Sequence, residues 1–104
     1  MEHYLATHTC FTEESRRGFI EHSKVLTDRQ MFEGVKTDKA QMLAHWMGKE
    51  EFFFCHWYAE SEEAILEALA KIGLDEIVVT AANELTRYIS VDDMKDQPVG
   101  DPDL

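Results

Sequence analysis

The segment Phe52–Ala59 (FFFCHWYA) has the clearest strand pattern in the chain. Successive side chains of a strand point to opposite faces, so the segment divides into two sets. One face carries Phe53, Cys55, Trp57 and Ala59, and the other carries Phe52, Phe54, His56 and Tyr58. A strand with one face in water alternates apolar and polar residues, whereas both sets here are largely apolar. We therefore expect both faces of this strand to be covered.

Three further segments have strand patterns. His3–Phe11 predicts a first strand, and Gln41–Met47 predicts a second strand that Gly48–Glu51, a polar connection of hairpin length, joins to Phe52–Ala59. The apolar run Glu76–Ala82 predicts the fourth strand. Residues 83–90 extend that run without a pattern that assigns their conformation.

Capping residues mark the predicted helices. Thr12 precedes Glu13 and Glu14, a combination typical of a helix start, and Thr27 with Gln30 forms a second start in the same region. The clearest helix follows Ser61, with its apolar residues on one face and Gly73 at its end. Those apolar residues are Ala64, Ile65, Ala68, Leu69 and Ile72.

The order strand, helix, strand, strand, helix, strand predicts an α+β, ferredoxin-like βαββαβ fold with a four-stranded antiparallel sheet. Right-handed crossovers place the first and third strands at the centre of this sheet. Both helical regions then cover one face, which leaves the second face of Phe52–Ala59 without cover from the same chain. A second copy would cover it, so we predict a homodimer in which two sheets pack as a dimeric α+β barrel.

The chain has 104 residues, of which 44% are hydrophobic, and this size and composition suit one folded domain. We place that domain at residues 1–90. Residues 91–104 contain both prolines and several aspartates with little to bury, which predicts a flexible acidic tail.

The formal net charge of -11 disfavours binding to nucleic acid or to an anionic membrane surface. No segment approaches the roughly 20 apolar residues that span a bilayer, and the N-terminal segment lacks a basic signal pattern, so we expect a cytoplasmic protein. Cys10 and Cys55 lie in predicted strands and are expected to be reduced thiols. A disulfide between them stays possible if their strands are neighbours.

The segment KEEFFFCHWYAESEEAILEALAKIGL resembles a family of small ferredoxin-like proteins of largely unassigned function that includes a nickel-binding protein. The likeness lies in a cysteine that follows an aromatic run, an alanine four residues later, an acidic helix start and a closing glycine. These are Cys55, Ala59, Glu62, Glu63 and Gly73. The chain departs from the family at Trp57, where tyrosine is common, and at GLDEIV, where a proline is usual. The resemblance implies the fold above and raises the possibility of a bound metal.

Histidines provide the candidate metal ligands. His8 and His56 lie on the two predicted central strands, where each has a plausible position on the open face, and His45 can reach them from the second strand. Imidazole nitrogen suits nickel or zinc, although the sequence has none of the dense ligand spacings of known motifs. The alternative is that these histidines are hydrogen-bonded groups lining an interior or a dimer seam.

Aromatic side chains suggest a second kind of site. Trp46 and Tyr58 are candidates to line a pocket for a flat small molecule, while Cys55 is expected to pack in the core. The first hypothesis is thus a homodimer that binds a transition metal or a small molecule. The second is a cofactor-independent oxygenase or isomerase of the dimeric-barrel type, with a histidine or tyrosine as base, acting on an aromatic or polyketide-like substrate. A structural dimer without a site is the third.

Overall fold

The computed structural model describes residues 1–100, and within them the chain forms an α+β fold consistent with the ferredoxin-like prediction. The strands are β1 (Glu2–Cys10), β2 (Ala40–Trp46), β3 (Phe52–Ala59) and β4 (Val78–Leu85). The helices are α1 (Glu13–Ser23), α2 (Asp28–Gly34) and α3 (Glu62–Lys71). Short 3-10 turns occupy Leu74–Glu76 and Val91–Asp93.

The four strands form one antiparallel sheet in the order β2-β3-β1-β4. This order confirms that β1 and β3 are the central strands. The bounds of β3 agree with the prediction, whereas β4 starts two residues later and continues through Leu85. The extension forms because β1 is still available as a partner, with His3 opposite Leu85.

The predicted helix boundaries are confirmed by their caps. The side chains of Thr12, Thr27 and Ser61 each accept a hydrogen bond from a backbone amide of the first turn. Thr27 and Gln30 form a reciprocal capping box, so the helical region restarts at α2. Gly73 follows α3 with φ of 79°, a left-handed conformation that favours glycine over residues with a Cβ.

The hydrophobic core lies between α3 and the face of the sheet that the helices cover, here called the helix face. The helix face includes Ala6, His8, Met42, Phe53, Cys55, Trp57 and Ala59, all of them buried. α3 packs on this face through its own buried residues, Ala64, Ile65, Ala68 and Leu69. The side chains of α1 and α2 are half-buried or exposed, and Phe19 of α1 stacks on Phe53 at 4.8 Å between ring centroids. α1 and α2 therefore form a thinner cover than α3.

The opposite side of the sheet, here called the open face, is not covered by any helix within residues 1–100. Its residues on the two central strands are His3, Leu5, Thr7, Thr9, Phe52, Phe54, His56 and Tyr58. All of them are exposed or half-buried. Phe54, near the middle, lies beside Thr7 of β1 and Trp46 of β2. The division of the β3 side chains between a covered face and an uncovered face agrees with the pattern of the sequence.

The structure places two of the candidate histidines on the helix face. His8 was expected on the open face, but it lies opposite Phe53 on the helix face and is 1% exposed. His45 also lies on the helix face, opposite Cys55. A β-bulge at Leu43 shifts the alternation of β2, so that Met42 and His45 share a face although they are three residues apart.

Residues 91–100 of the predicted tail are exposed, and the guanidinium of Arg87 donates to the carbonyls of Val99 at 3.1 Å and Gly100 at 2.6 Å. The rest of the predicted tail, residues 101–104, lies outside the described residues. Among residues 1–100, no helix has the length and apolar character needed to cross a bilayer.

Candidate functional site

A small cavity of about 30 Å³ lies between the helix face and the helices. Sheet residues on its wall are His8, Met42, His45, Phe53, Cys55, Trp57 and Val78. Helices and connections contribute Phe19, Met31, Val35, Leu69 and Leu74. A water needs about 10–15 Å³ of such space, so the cavity has room for one or two waters or for an ion.

His8 is the most buried polar side chain of this wall. Its Nδ1 lies 2.7 Å from the hydroxyl oxygen of Thr80, which is opposite it on β4. Its Nε2 is buried and has no hydrogen-bond partner among residues 1–100. Burial, and then the nearby His45, lowers the pKa of His8 to about 4, so the ring is neutral near pH 7. When Nδ1–H donates to Thr80, Nε2 keeps a free lone pair, an arrangement typical of histidines that bind a metal.

The imidazole ring of His45 lies between two sulfur atoms and contacts both of them. Its Nε2 lies 3.0 Å from Sδ of Met47, and its Nδ1 lies 3.1 Å from Sγ of Cys55. A thioether sulfur has no proton to donate, so Nε2–H is the donor to Met47 and Nδ1 accepts from the Cys55 thiol. Burial raises the pKa of Cys55 to about 12, against a smaller opposite effect of Trp57, so the thiol keeps its proton near neutral pH. Burial also lowers the pKa of His45.

Trp57 places a second polar atom in the cavity wall. Its indole Nε1 is buried and, apart from a weak contact with the sulfur of Cys55, has no hydrogen-bond partner among residues 1–100. Buried polar groups without a partner cost about 1–3 kcal/mol each, and most native proteins pair them. His8 and Trp57 both line the cavity, but the surface that the cavity exposes is apolar, so an occupant that binds either nitrogen would require that side chain to turn toward it.

The five predicted site residues fall into two groups on opposite sides of the sheet. His8 and His45 line the cavity, while His56, Trp46 and Tyr58 lie on the open face. Trp46 is 52% exposed and Tyr58 is 38% exposed, and neither lines the cavity. The structure therefore does not bring His8 and His56 together in one site. The cause is that the paired residues of β1 and β3 share a face, and His8 pairs with Phe53 rather than with an open-face residue.

Sequence reasoning missed several contacts. The Cys55–His45 contact depends on the bulge in β2. The hydrogen bond between His8 and Thr80 depends on the register of β1 and β4, and these two residues are 72 positions apart in the sequence. His3, which was not among the predicted site residues, has a ring nitrogen 2.9 Å from a ring nitrogen of His56. An alternation of apolar and polar residues gives no signal for any of these three contacts.

The donor atoms around the cavity fall short of a complete metal site. Within residues 1–100, no group of three or more histidine, cysteine, aspartate or glutamate side chains is arranged so that it could hold a metal ion. Metal binding in the cavity would therefore require a rearrangement of side chains, beginning with the Cys55–His45 hydrogen bond.

The fold and cavity define a ferredoxin-like α+β chain with a buried histidine–thiol pair. No protein-family model matches the chain, and no curated protein sequence matches it. Membership in the family that includes a nickel-binding protein stays a prediction.

Proposed function

We propose that the protein is a homodimer that binds a transition-metal ion, zinc or nickel, in the cavity. The observation that carries this proposal is the unpaired Nε2 of His8, a residue that lines the same small cavity as His45 and Cys55. These groups are nitrogen and sulfur donors of the kind that zinc and nickel accept.

The size of the cavity favours an ion over an organic molecule. An engineered cavity that binds benzene has about 150 Å³, against about 30 Å³ here. Zinc bound to nitrogen and sulfur at about 2.0–2.3 Å fits a much smaller space. An aromatic or polyketide-like molecule would fit after an outward movement of α1 and α2, the thinner part of the cover.

Metal binding at these donors must release protons. The Cys55 thiol is protonated at neutral pH, whereas a metal binds the thiolate, so bond formation would displace the thiol proton and free Nδ1 of His45 from its present contact. His8 is already neutral and needs no deprotonation. Binding through Cys55 should thus release about one proton per ion near pH 7.

The open face supports the dimer. Four strands about 4.8 Å apart, each about eight residues long at 3.3 Å per residue, give a face of roughly 500 Å². This face contains three large apolar side chains that are each about half exposed, Trp46, Phe52 and Val79. Phe54 lies near the centre of the face. A face of this size is comparable to the largest apolar patch of a typical monomeric protein, which is often a binding surface, and a second copy of the sheet would remove these side chains from water.

Calorimetric titration of the metal-free protein with Zn²⁺ and with Ni²⁺ tests the metal proposal. We expect one ion per chain and a loss of at least tenfold in affinity for His8→Gln and for His45→Gln. His22→Gln, which changes an exposed histidine of α1, should bind like the wild type. Titrations in buffers of different ionisation enthalpy count the released protons. Absence of binding, or equal affinity in all three variants, would overturn the proposal.

The alternative is a cofactor-independent enzyme, an oxygenase or isomerase. The observation in its favour is the thiol–imidazole contact of Cys55 and His45 at 3.1 Å, since such pairs can move protons. It requires a cavity that opens enough to admit substrate. Saturable changes in tryptophan fluorescence of a Trp46→Phe variant, in which Trp57 is the remaining tryptophan, on titration with flat aromatic molecules and without any bound metal, would favour this alternative.

A further inference from the structure

A second histidine pair lies on the open face, on the other side of the sheet from the cavity. Nδ1 of His3 on β1 and Nε2 of His56 on β3 are 2.9 Å apart. His3 lies opposite Tyr58 and His56 lies opposite Leu5, so the two histidines are diagonal neighbours on adjacent strands. The ring of His3 also contacts the ring of Tyr58, with centroids 4.9 Å apart, which helps to fix its orientation.

We propose that His3 and His56 together bind a divalent metal ion of tetragonal geometry, with Cu²⁺ as the preferred ion. Two metal–nitrogen bonds of about 2.05 Å at a right angle span about 2.9 Å. That span equals the distance between the two ring nitrogens. A metal that replaces the proton between the two nitrogens can keep their separation, but each ring must turn so that its nitrogen points at the ion instead of at the other nitrogen.

The same geometry ranks the metals. A tetrahedral ion such as Zn²⁺ sets its bonds near 109°, which would require the nitrogens to move to about 3.3 Å apart. Cu²⁺ and Ni²⁺ accept right angles between nitrogen ligands, and Cu²⁺ binds nitrogen donors more tightly than Ni²⁺. The pair lies near the start of β1, at one end of the sheet, and His3 is exposed, so water can complete the coordination. This site does not depend on the proposed cavity function.

Titration of the protein with Cu²⁺, followed by calorimetry and by electron paramagnetic resonance, tests the pair. The chain used carries two extra residues at its N-terminus, so that a free amine next to His3 cannot supply a ligand. We expect one tetragonal Cu²⁺ with two nitrogen ligands from imidazole. His3→Gln and His56→Gln should each reduce affinity at least tenfold and leave a signal with one imidazole, and the double variant should abolish the signal.

Two controls separate this site from the cavity. His22→Gln should leave Cu²⁺ binding unchanged. His8→Gln, which alters the cavity on the other face, should leave the two-imidazole signal of the His3–His56 pair unchanged, whether or not the cavity also takes up Cu²⁺. Circular dichroism melting of each variant verifies that it folds. The proposal is overturned if His3→Gln and His56→Gln bind Cu²⁺ like the wild type, if one of them alone affects binding, or if His8→Gln removes the signal. Failure of Zn²⁺ or Ni²⁺ binding in the cavity would leave these outcomes unaffected.

Discussion

Lowering the pH should destabilise the metal-free protein through His8. Its pKa in the folded state is about 4, below the ordinary value of 6.5, because burial disfavours the charged ring. As the pH falls below about 6.5, the unfolded chain therefore takes up a proton at this position before the folded chain does. The contribution of neutral His8 to the free energy of unfolding is complete above pH 6.5 and is lost progressively towards pH 4.

The size of this effect follows from the two pKa values. A difference of about 2.5 pH units corresponds to about 3 kcal/mol, of which about 2 kcal/mol should be lost between pH 7 and pH 4.5. Carboxylates also titrate in this range, so the quantity to compare is the difference between the wild type and His8→Gln. Glutamine does not ionise, and its amide can still donate a hydrogen bond to Thr80.

Urea denaturation at pH 7 and pH 4.5, with a chelator present, measures the effect. The free energy of unfolding of the wild type should fall by about 2 kcal/mol more than that of His8→Gln over this interval. His22→Gln should follow the wild type, because His22 is exposed on α1. Equal losses in the wild type and in His8→Gln would refute the reasoning and show that the ring is protonated or solvated in the folded state.

Other substitutions test the open face, the helix ends and the core. Phe54→Glu should convert the proposed dimer to a monomer in sedimentation experiments at micromolar concentration. Val25→Glu, at an exposed position outside the sheet, should not. A dimer that survives Phe54→Glu does not use the open face. Gly73→Ala should lower the free energy of unfolding by about 1 kcal/mol, because residue 73 has a positive φ. Gly18→Ala should raise the free energy of unfolding by about 0.5–1 kcal/mol, because alanine is the better helix former in α1. A stabilising Gly73→Ala together with a destabilising Gly18→Ala would contradict the assigned helix end. Cys55→Ser should destabilise the core by about 1–3 kcal/mol in urea denaturation, because the shorter side chain loosens the contact with Nδ1 of His45 and places a hydroxyl in an apolar wall. Unchanged stability would show that the hydroxyl donates to His45 as the thiol does.

The sequence was sufficient to predict the elements whose signals are local. Caps at Thr12, Thr27 and Ser61 depend on a few adjacent residues, and each helix starts where its cap predicts. β3 has large apolar side chains on both faces, so its bounds were predicted to the residue. The central position of β1 and β3 follows from the order of elements and the handedness of their connections.

The positions of the histidines could not be predicted in the same way, because they depend on which face each strand turns to the helices. Both faces of β1 carry a mixture of small, polar and apolar residues, so its pattern leaves the choice open. The register with β3 places Ala6 beside Cys55 and His8 beside Phe53, and the ring of His8 stacks on the ring of Phe53. In β2, the bulge at Leu43 moves His45 to the covered face, and a bulge of this kind has no distinct sequence signal here.

The adjacent residues Cys55 and His56 belong to two different chemical environments. Cys55 points to the helix face and contacts His45, while His56 points to the open face and contacts His3. The backbone of β3 is the shared element, and successive residues of a strand cannot direct their side chains to one ion. Each histidine contact therefore joins β3 to a different neighbour, the covered contact to β2 and the exposed contact to β1. A substitution that removes one contact leaves the donor atoms of the other in place, so the two sites can be altered independently.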